Sequence, residues 1–196
     1  MIDLALPFRP ATPDDAAHLA EFINMAGEGL PLYLWTKMAD TGEDPWAVGR
    51  QRAQRTEGGF SYKNAVVMEA DGRVAAGLIG YKLPDEPAPI DYDTMPAMFV
   101  PLQELENMAP GTWYLNVLAT YPEFRGQGLG TRLLAVAEQL AAAAGAKGLS
   151  LIVFDTNTGA RRLYERLGYR EVDQRPIVKE DWDCPADNSV LLVKDA

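Results

Sequence analysis

The sequence predicts a single-domain α/β (α+β) fold, a mixed sheet with helices packed on it, and three observations carry that prediction. The chain has 196 residues, the length of one domain. Hydrophobic residues make up 47% and charged residues 23%, a balance that supports a buried core rather than disorder. The elements read in the order βααββ, then βαβα, then ββ.

Each element has a local cause. Thr12-Pro13-Asp14-Asp15 combines an N-cap hydroxyl, proline at the first helical position and acid in the first turn, so a helix starts there and runs to about Met25. Asp44-Pro45 starts a second helix in the same way, to about Arg55. Between them Gly27 to Glu43 carries Leu30, Leu32, Tyr33, Leu34, Trp35 and Met38 with no assigned element. Ala65 to Ala70 and Arg73 to Tyr81 flank Asp71-Gly72, which reads as a hairpin. Pro84 to Met108 is proline- and acid-rich and reads as loop, with one short helix near Pro101 to Glu106. Trp113 to Thr120 is a strand. From Gly128 to Ala144, Leu129, Leu133, Val136 and Leu140 recur every three or four residues, an amphipathic helix stopped by Gly145. Leu149 to Phe154 reads as a buried strand, Asn157 to Leu167 as a short helix ending at Gly168, and Tyr169 to Val178 and Ser189 to Lys194 as closing strands.

Composition removes several function classes. With 18 Lys and Arg against 28 Asp and Glu the formal charge is −10, which argues against nucleic-acid binding through phosphate neutralisation. One cysteine, Cys184, excludes an internal disulfide and any multi-cysteine zinc site, so no metal is expected. One histidine, His18, leaves any Ser-His-Asp or Cys-His arrangement dependent on that residue alone. No run approaches ~18 uninterrupted apolar residues, and Met1 to Pro10 lacks the basic flank and apolar core of a signal peptide. The expectation is a cytoplasmic protein with no membrane partner.

Arg125-Gly126-Gln127-Gly128-Leu129-Gly130-Thr131 joins a strand to a helix. Glycines there let the backbone take positive φ and approach a ligand. The first N–H groups of a helix are unpaired, and its dipole adds partial positive charge, so phosphate is favoured at such a turn. A phosphate-binding loop of the Walker type needs a lysine that is missing before Thr131. A dinucleotide fingerprint spaces its glycines G-x-G-x-x-G directly after the strand, whereas here the spacing is G-x-G-x-G behind Pro122-Glu123-Phe124; Asp155 is the acid such a site would use. A dinucleotide-binding oxidoreductase is therefore the second reading.

The first reading is a resemblance. Arg125-x-x-Gly128-x-Gly130, with Pro122 ahead of it and the strand Leu115 to Thr120 before that, resembles the acetyl-CoA pyrophosphate motif of the GNAT superfamily of N-acetyltransferases. Asn157-x-x-Ala160-x-x-Leu163-Tyr164-x-x-x-Gly168-Tyr169 resembles the family's second signature. The two motifs cover 113–169; residues 12–60 match in element order only and correspond to the acceptor-side helices. The resemblance implies a mostly antiparallel mixed sheet with helices on both faces. It also implies transfer of an acetyl group from acetyl-CoA to a primary amine by direct attack in a ternary complex. Backbone groups of Leu118, Ala119 and Thr120 would bind pantetheine, and the Leu118 N–H would polarise the thioester carbonyl. Arg125, Gly126, Gln127, Gly128, Leu129, Gly130 and Thr131 would cradle the pyrophosphate, with the Leu129 side chain in the core. Asn157 would bond pantetheine or cap its helix, Ala160 would keep the helix surface low, and Tyr164 would protonate the departing thiolate.

Several assignments stay open at this point. Arg161, Arg162, Arg166, Arg170 and Arg175 face Glu165, Glu171 and Asp173, a local surplus suited either to the 3′-phosphate of CoA or to a solvated face with pairs such as Arg161–Glu165. Tyr114 and Asn116 occupy the strand positions where many family members carry a base; Glu69, Asp155 or a water chain could serve instead. His18 reads as structural or solvent-facing, and Cys184 lies in a late loop. Tyr33, Trp35, Met38 and Trp46 line either the acceptor groove or the core. Asp85, Glu86, Asp91, Asp93, Glu104 and Glu106 stand in a stretch free of Lys and Arg, which would favour a cationic acceptor. The acceptor is a small-molecule or peptide amine, and the protein a monomer or homodimer. A non-catalytic acyl-CoA-binding sensor is the remaining alternative.

Overall fold

The computed structural model describes residues 4–196, so the reading of Met1 to Pro10 and the 1–196 domain expectation extend, at positions 1–3, outside the described residues. The strands are β1 (Phe8–Pro10), β2 (Ala65–Ala70), β3 (Arg73–Lys82), β4 (Trp113–Thr120), β5 (Gly148–Phe154), β6 (Arg170–Pro176) and β7 (Asn188–Asp195). The helices are α1 (Ala16–Ala26), α2 (Leu30–Met38), α3 (Pro45–Gln54), α4 (Val100–Glu106), α5 (Leu129–Ala143) and α6 (Thr158–Arg166). The strand order is β1-β2-β3-β4-β5-β7-β6. Pairings β1–β2, β2–β3, β5–β7 and β6–β7 are antiparallel, and β4–β5 is parallel. This is the mostly antiparallel mixed sheet that the sequence leads one to expect.

The chain divides into two compact units, one of residues up to Tyr81 with 116–137, the other of 82–115 with 138–196. In the first unit a 3-10 turn (Pro13–Asp15) precedes α1, and Asp15 accepts from the Thr12 N–H at 2.8 Å, closing a capping box. Arg9 of β1 donates two bonds to Asp15, at 2.8 and 2.9 Å, and one to Glu69 of β2 at 2.7 Å. The β2–β3 turn places Asp71 and Gly72 at φ 51° and 71°, the pair of positive values that a two-residue hairpin requires. Leu19, Phe22 and Ile23 of α1 are buried with Trp35, Val67, Ile79 and Val117 in one core. Phe22 is 1% exposed, so its truncation to alanine costs ~3–5 kcal/mol.

The stretch 27–43, left without an element by its sequence, contains α2. Gly29 at φ 91° turns the chain into it, and Pro31 sits in its first turn, where a missing N–H costs nothing. Trp35 of α2 is buried edge-on to Trp46, with ring centroids 5.7 Å apart, while Met38 is exposed. Trp35 therefore belongs to the core, and Tyr33 and Trp46 are half-buried.

In the second unit Trp113 pairs with Leu149 and Tyr114 with Ser150, at the N-terminal ends of β4 and β5. Leu105 and Ala109, from α4 and just beyond it, pack on Leu191, Val193 and Ile152. Thr112 and Ser150, both buried, satisfy each other at 2.7 Å. No helix among the described residues is long and apolar enough to cross a membrane.

Candidate active site

The glycine turn lies in the first unit. After Thr120 a 3-10 turn (Pro122–Phe124) leads to Arg125, whose backbone is extended. Gly126 and Gly128 stand at φ 75° and 76°, and α5 begins at Leu129. A side chain at either glycine would be strained by that φ, yet its Cβ would meet nothing within 4 Å. Packing therefore does not explain these glycines. They leave an open, side-chain-free surface at the start of a 15-residue helix, where unpaired N–H groups and the helix dipole favour an anion. Arg125 donates to the Thr120 carbonyl at 3.3 Å, tying the turn to the strand end. Leu129 is buried, so its side chain serves the core. Gly126, Gln127, Gly128 and Thr131 are exposed and Gly130 half-buried. On β4, Ala119 is buried, whereas Leu118 and Thr120 are half-buried. The structure thus brings together 118–120 and 125–131 within one unit.

The second motif lies in the other unit. Asn157 accepts from the Ala160 N–H at 3.2 Å and caps α6. Tyr164 is 7% exposed, and its ring lies 5.6 Å from that of Tyr169. Burial pushes the Tyr164 hydroxyl well above the usual phenol range, so it holds its proton at neutral pH. Tyr169 Oη is fully buried without a hydrogen-bond partner among the described residues.

Other candidates acquire definite roles. Glu69 is occupied by Arg9. Asp155 accepts from the Asp187 and Asn188 N–H groups at 3.2 and 2.9 Å and from Asn188 Nδ2 at 3.0 Å. Burial would raise its pKa, but these bonds outweigh burial and hold it low, so it is a poor base. Asn116 donates to Tyr81 Oη at a long 3.5 Å. Arg161 pairs with Glu171 at 2.8 Å rather than with Glu165, Arg170 with Asp195, and Arg175 with Asp173 and Glu104. The arginine surplus is thereby largely neutralised; a strand reaching back beside α6 offers Arg161 a firmer partner than its own helix does. In the acid-rich stretch Asp85 faces Lys82 and Lys147, and Glu104 faces Arg175. Cys184 is buried.

Two features escaped the sequence reading. Tyr121 bonds His18 Nδ1 at 2.7 Å, a contact between residues 103 apart that no local signal announces. Glu106, half-buried on α4, is pushed up to about 7 by burial. No group of three or more His, Cys, Asp or Glu among the described residues could hold a metal.

A mixed sheet in which a strand feeds an open, glycine-lined helix start defines an α/β protein whose helix start favours an anion. The chain matches the Acetyltransferase (GNAT) family over residues 32–169, and it belongs to that family. It is 34% identical over 71 residues to a thialysine N-epsilon-acetyltransferase of Bos taurus, covering 36% of this chain and 39% of that protein. It is 43% identical over 53 residues to the uncharacterized N-acetyltransferase YycN of Bacillus subtilis (strain 168), covering 27% and 34%. The chain thus spans well under half the length of these curated relatives. Among solved structures, an acetyltransferase superposes with a TM-score of 0.66 at 22% identity, covering 96% of this chain and 98% of that one. An N-acetyltransferase from Staphylococcus aureus Mu50 gives 0.63 at 18%, covering 95% and 98%. These two likenesses concern the fold.

Proposed function

We propose that the chain transfers an acetyl group from acetyl-CoA to a primary amine of a small molecule or peptide, by direct attack while both substrates are bound. The observation that carries this reading is the open glycine turn at the head of α5, in a member of the acetyltransferase family. Residues 125–131 hold the pyrophosphate, chiefly through backbone N–H groups, with Arg125 adding a full charge. Leu118, Ala119 and Thr120 give backbone partners to the pantetheine amides, and the Leu118 N–H polarises the carbonyl. Asn157 and Ala160 shape the start of α6. The amine nitrogen bonds to the carbonyl carbon, the C–S bond breaks, and Tyr164 gives its proton to the thiolate. The nitrogen loses its proton to water, because Glu69 and Asp155 are engaged elsewhere. The bovine relative is named for the ε-amine of thialysine, which makes a flexible aliphatic amine the first acceptor to try. The test is a panel of amines incubated with acetyl-CoA, read by free-thiol release and by the mass of the acetylated product.

A further inference from the structure

The glycine turn is held at its entry rather than along its length. Gly126 and Gly128 have open space where side chains would be, and Gln127 makes a long bond to the Glu123 carbonyl, at 3.5 Å. Tyr121, four residues before Arg125, is by contrast held through its backbone, its ring and its hydroxyl. Its N–H donates to the Ala75 carbonyl of β3 at 2.9 Å, and its own carbonyl accepts from the Phe124 N–H at 3.0 Å. Its ring lies 4.8 Å from Phe22 of α1, and its hydroxyl lies 2.7 Å from His18 Nδ1, also on α1. Phe124 is buried, and the Arg73 guanidinium covers its ring at 5.1 Å. The connection from β4 to the turn is therefore gripped by α1 through Tyr121 and by β3 through Phe124.

A cleft of about 530 Å³ runs beside these contacts, with His18, Arg73, Tyr121, Glu123 and Phe124 among its lining. The grip stands at the edge of this cleft. Burial, a hydrogen bond to the Glu21 side chain and the nearby Glu123 carboxylate push the Tyr121 hydroxyl far above its ordinary range. It keeps its proton, and the 2.7 Å bond to His18 Nδ1 can form with either group as donor.

We propose that His18 and Tyr121 are positioning residues that fix the glycine turn in its ligand-ready pose and so set the affinity for the diphosphate of acetyl-CoA. This rests on the reading of the turn as the pyrophosphate cradle. A turn with three glycines has much backbone freedom to lose on binding, and an entry anchored to α1 removes part of that cost in advance. Neither side chain is placed at the reacting atoms, so the anchor acts on binding and leaves the chemical step alone.

The test compares Tyr121→Phe, His18→Phe and the double variant with the wild type. Loss of one hydrogen bond that leaves an unpaired partner raises the Kd and KM for acetyl-CoA about tenfold, with kcat changed by less than about twofold. The double variant is no worse than Tyr121→Phe, because that substitution already removes the His18–Tyr121 bond. His18→Gln, which keeps an acceptor within reach, recovers part of the affinity. Amide hydrogen exchange at 125–129, which needs no substrate, is faster in Tyr121→Phe than in the wild type. Wild-type acetyl-CoA affinity or unchanged exchange in Tyr121→Phe overturns the proposal, as do additive losses in the double variant. A wild type that binds no acetyl-CoA overturns the cradle reading, and the exchange comparison then decides whether the anchor holds the turn.

Discussion

Glu106 gives stability an unusual dependence on pH. Its carboxyl is half-buried on α4 and has no ion pair among the described residues. Burial pushes its pKa from 4.5 up to about 7. The folded value is raised, so between those two pKa values the unfolded chain has released a proton that the folded chain retains. Stability therefore falls as pH rises through that window, and the penalty is complete above pH 7. At 1.36 kcal/mol per unit, the whole shift corresponds to about 3 kcal/mol, of which about 2.5 kcal/mol develops between pH 5 and pH 8. Glu106→Gln cannot ionise and so escapes this loss, whatever constant cost its amide brings. The measurement is urea denaturation of both proteins at pH 5 and pH 8. The difference in unfolding free energy should move by about 2.5 kcal/mol in favour of the variant at the higher pH, or roughly 5–10 °C in Tm for a chain of this size. Other titrating groups cancel in the subtraction. Parallel stability profiles would refute the reasoning, since they would mean the carboxyl ionises as freely in the folded chain as in the unfolded one.

Three further outcomes follow from the geometry. Gly128→Ala and Gly72→Ala both place a methyl group at a positive φ with open space around it; each should lose ~1–2 kcal/mol of stability, but only Gly128→Ala should weaken acetyl-CoA binding, as isothermal titration would show. Tyr164→Phe should lower kcat by about 10²-fold or more while the Kd for acetyl-CoA holds, as pre-steady-state thiol release and equilibrium binding would show. Asp15 has a pKa held low because the Arg9 and Thr12 bonds outweigh burial; its contribution is present above the unfolded carboxyl pKa and is lost as pH falls through the folded one, so Asp15→Asn should flatten the acid limb of the stability curve followed by circular dichroism.

Elements with strong local causes were legible in the sequence. The Asp71-Gly72 turn between two β-rich runs defined its hairpin, and the spacing from Leu129 to Leu140 defined α5, because turn chemistry and periodicity act within a few residues. The helix α2 was not legible, since Gly29 and Pro31 look like breakers and act instead as its entry and first turn. Charge pairing was the least legible. Arg161 chooses Glu171 over Glu165, and Arg9 reaches 60 residues along the chain to Glu69, choices that tertiary placement makes and helix spacing does not. The glycine turn itself was legible, but the contact between His18 and Tyr121 at its entry was not, because the two meet only after folding.

The central claim is the acetyl transfer itself. The direct measurement is incubation of the purified protein with acetyl-CoA and lysine-like amines, with free thiol followed by absorbance and the products by mass spectrometry. Stoichiometric thiol release with an N-acetylated amine, dependent on both substrates and lost in Tyr164→Phe, is the predicted result. Tight acetyl-CoA binding with no acetylated amine across the panel would contradict it and leave a protein that binds the acyl donor without using it.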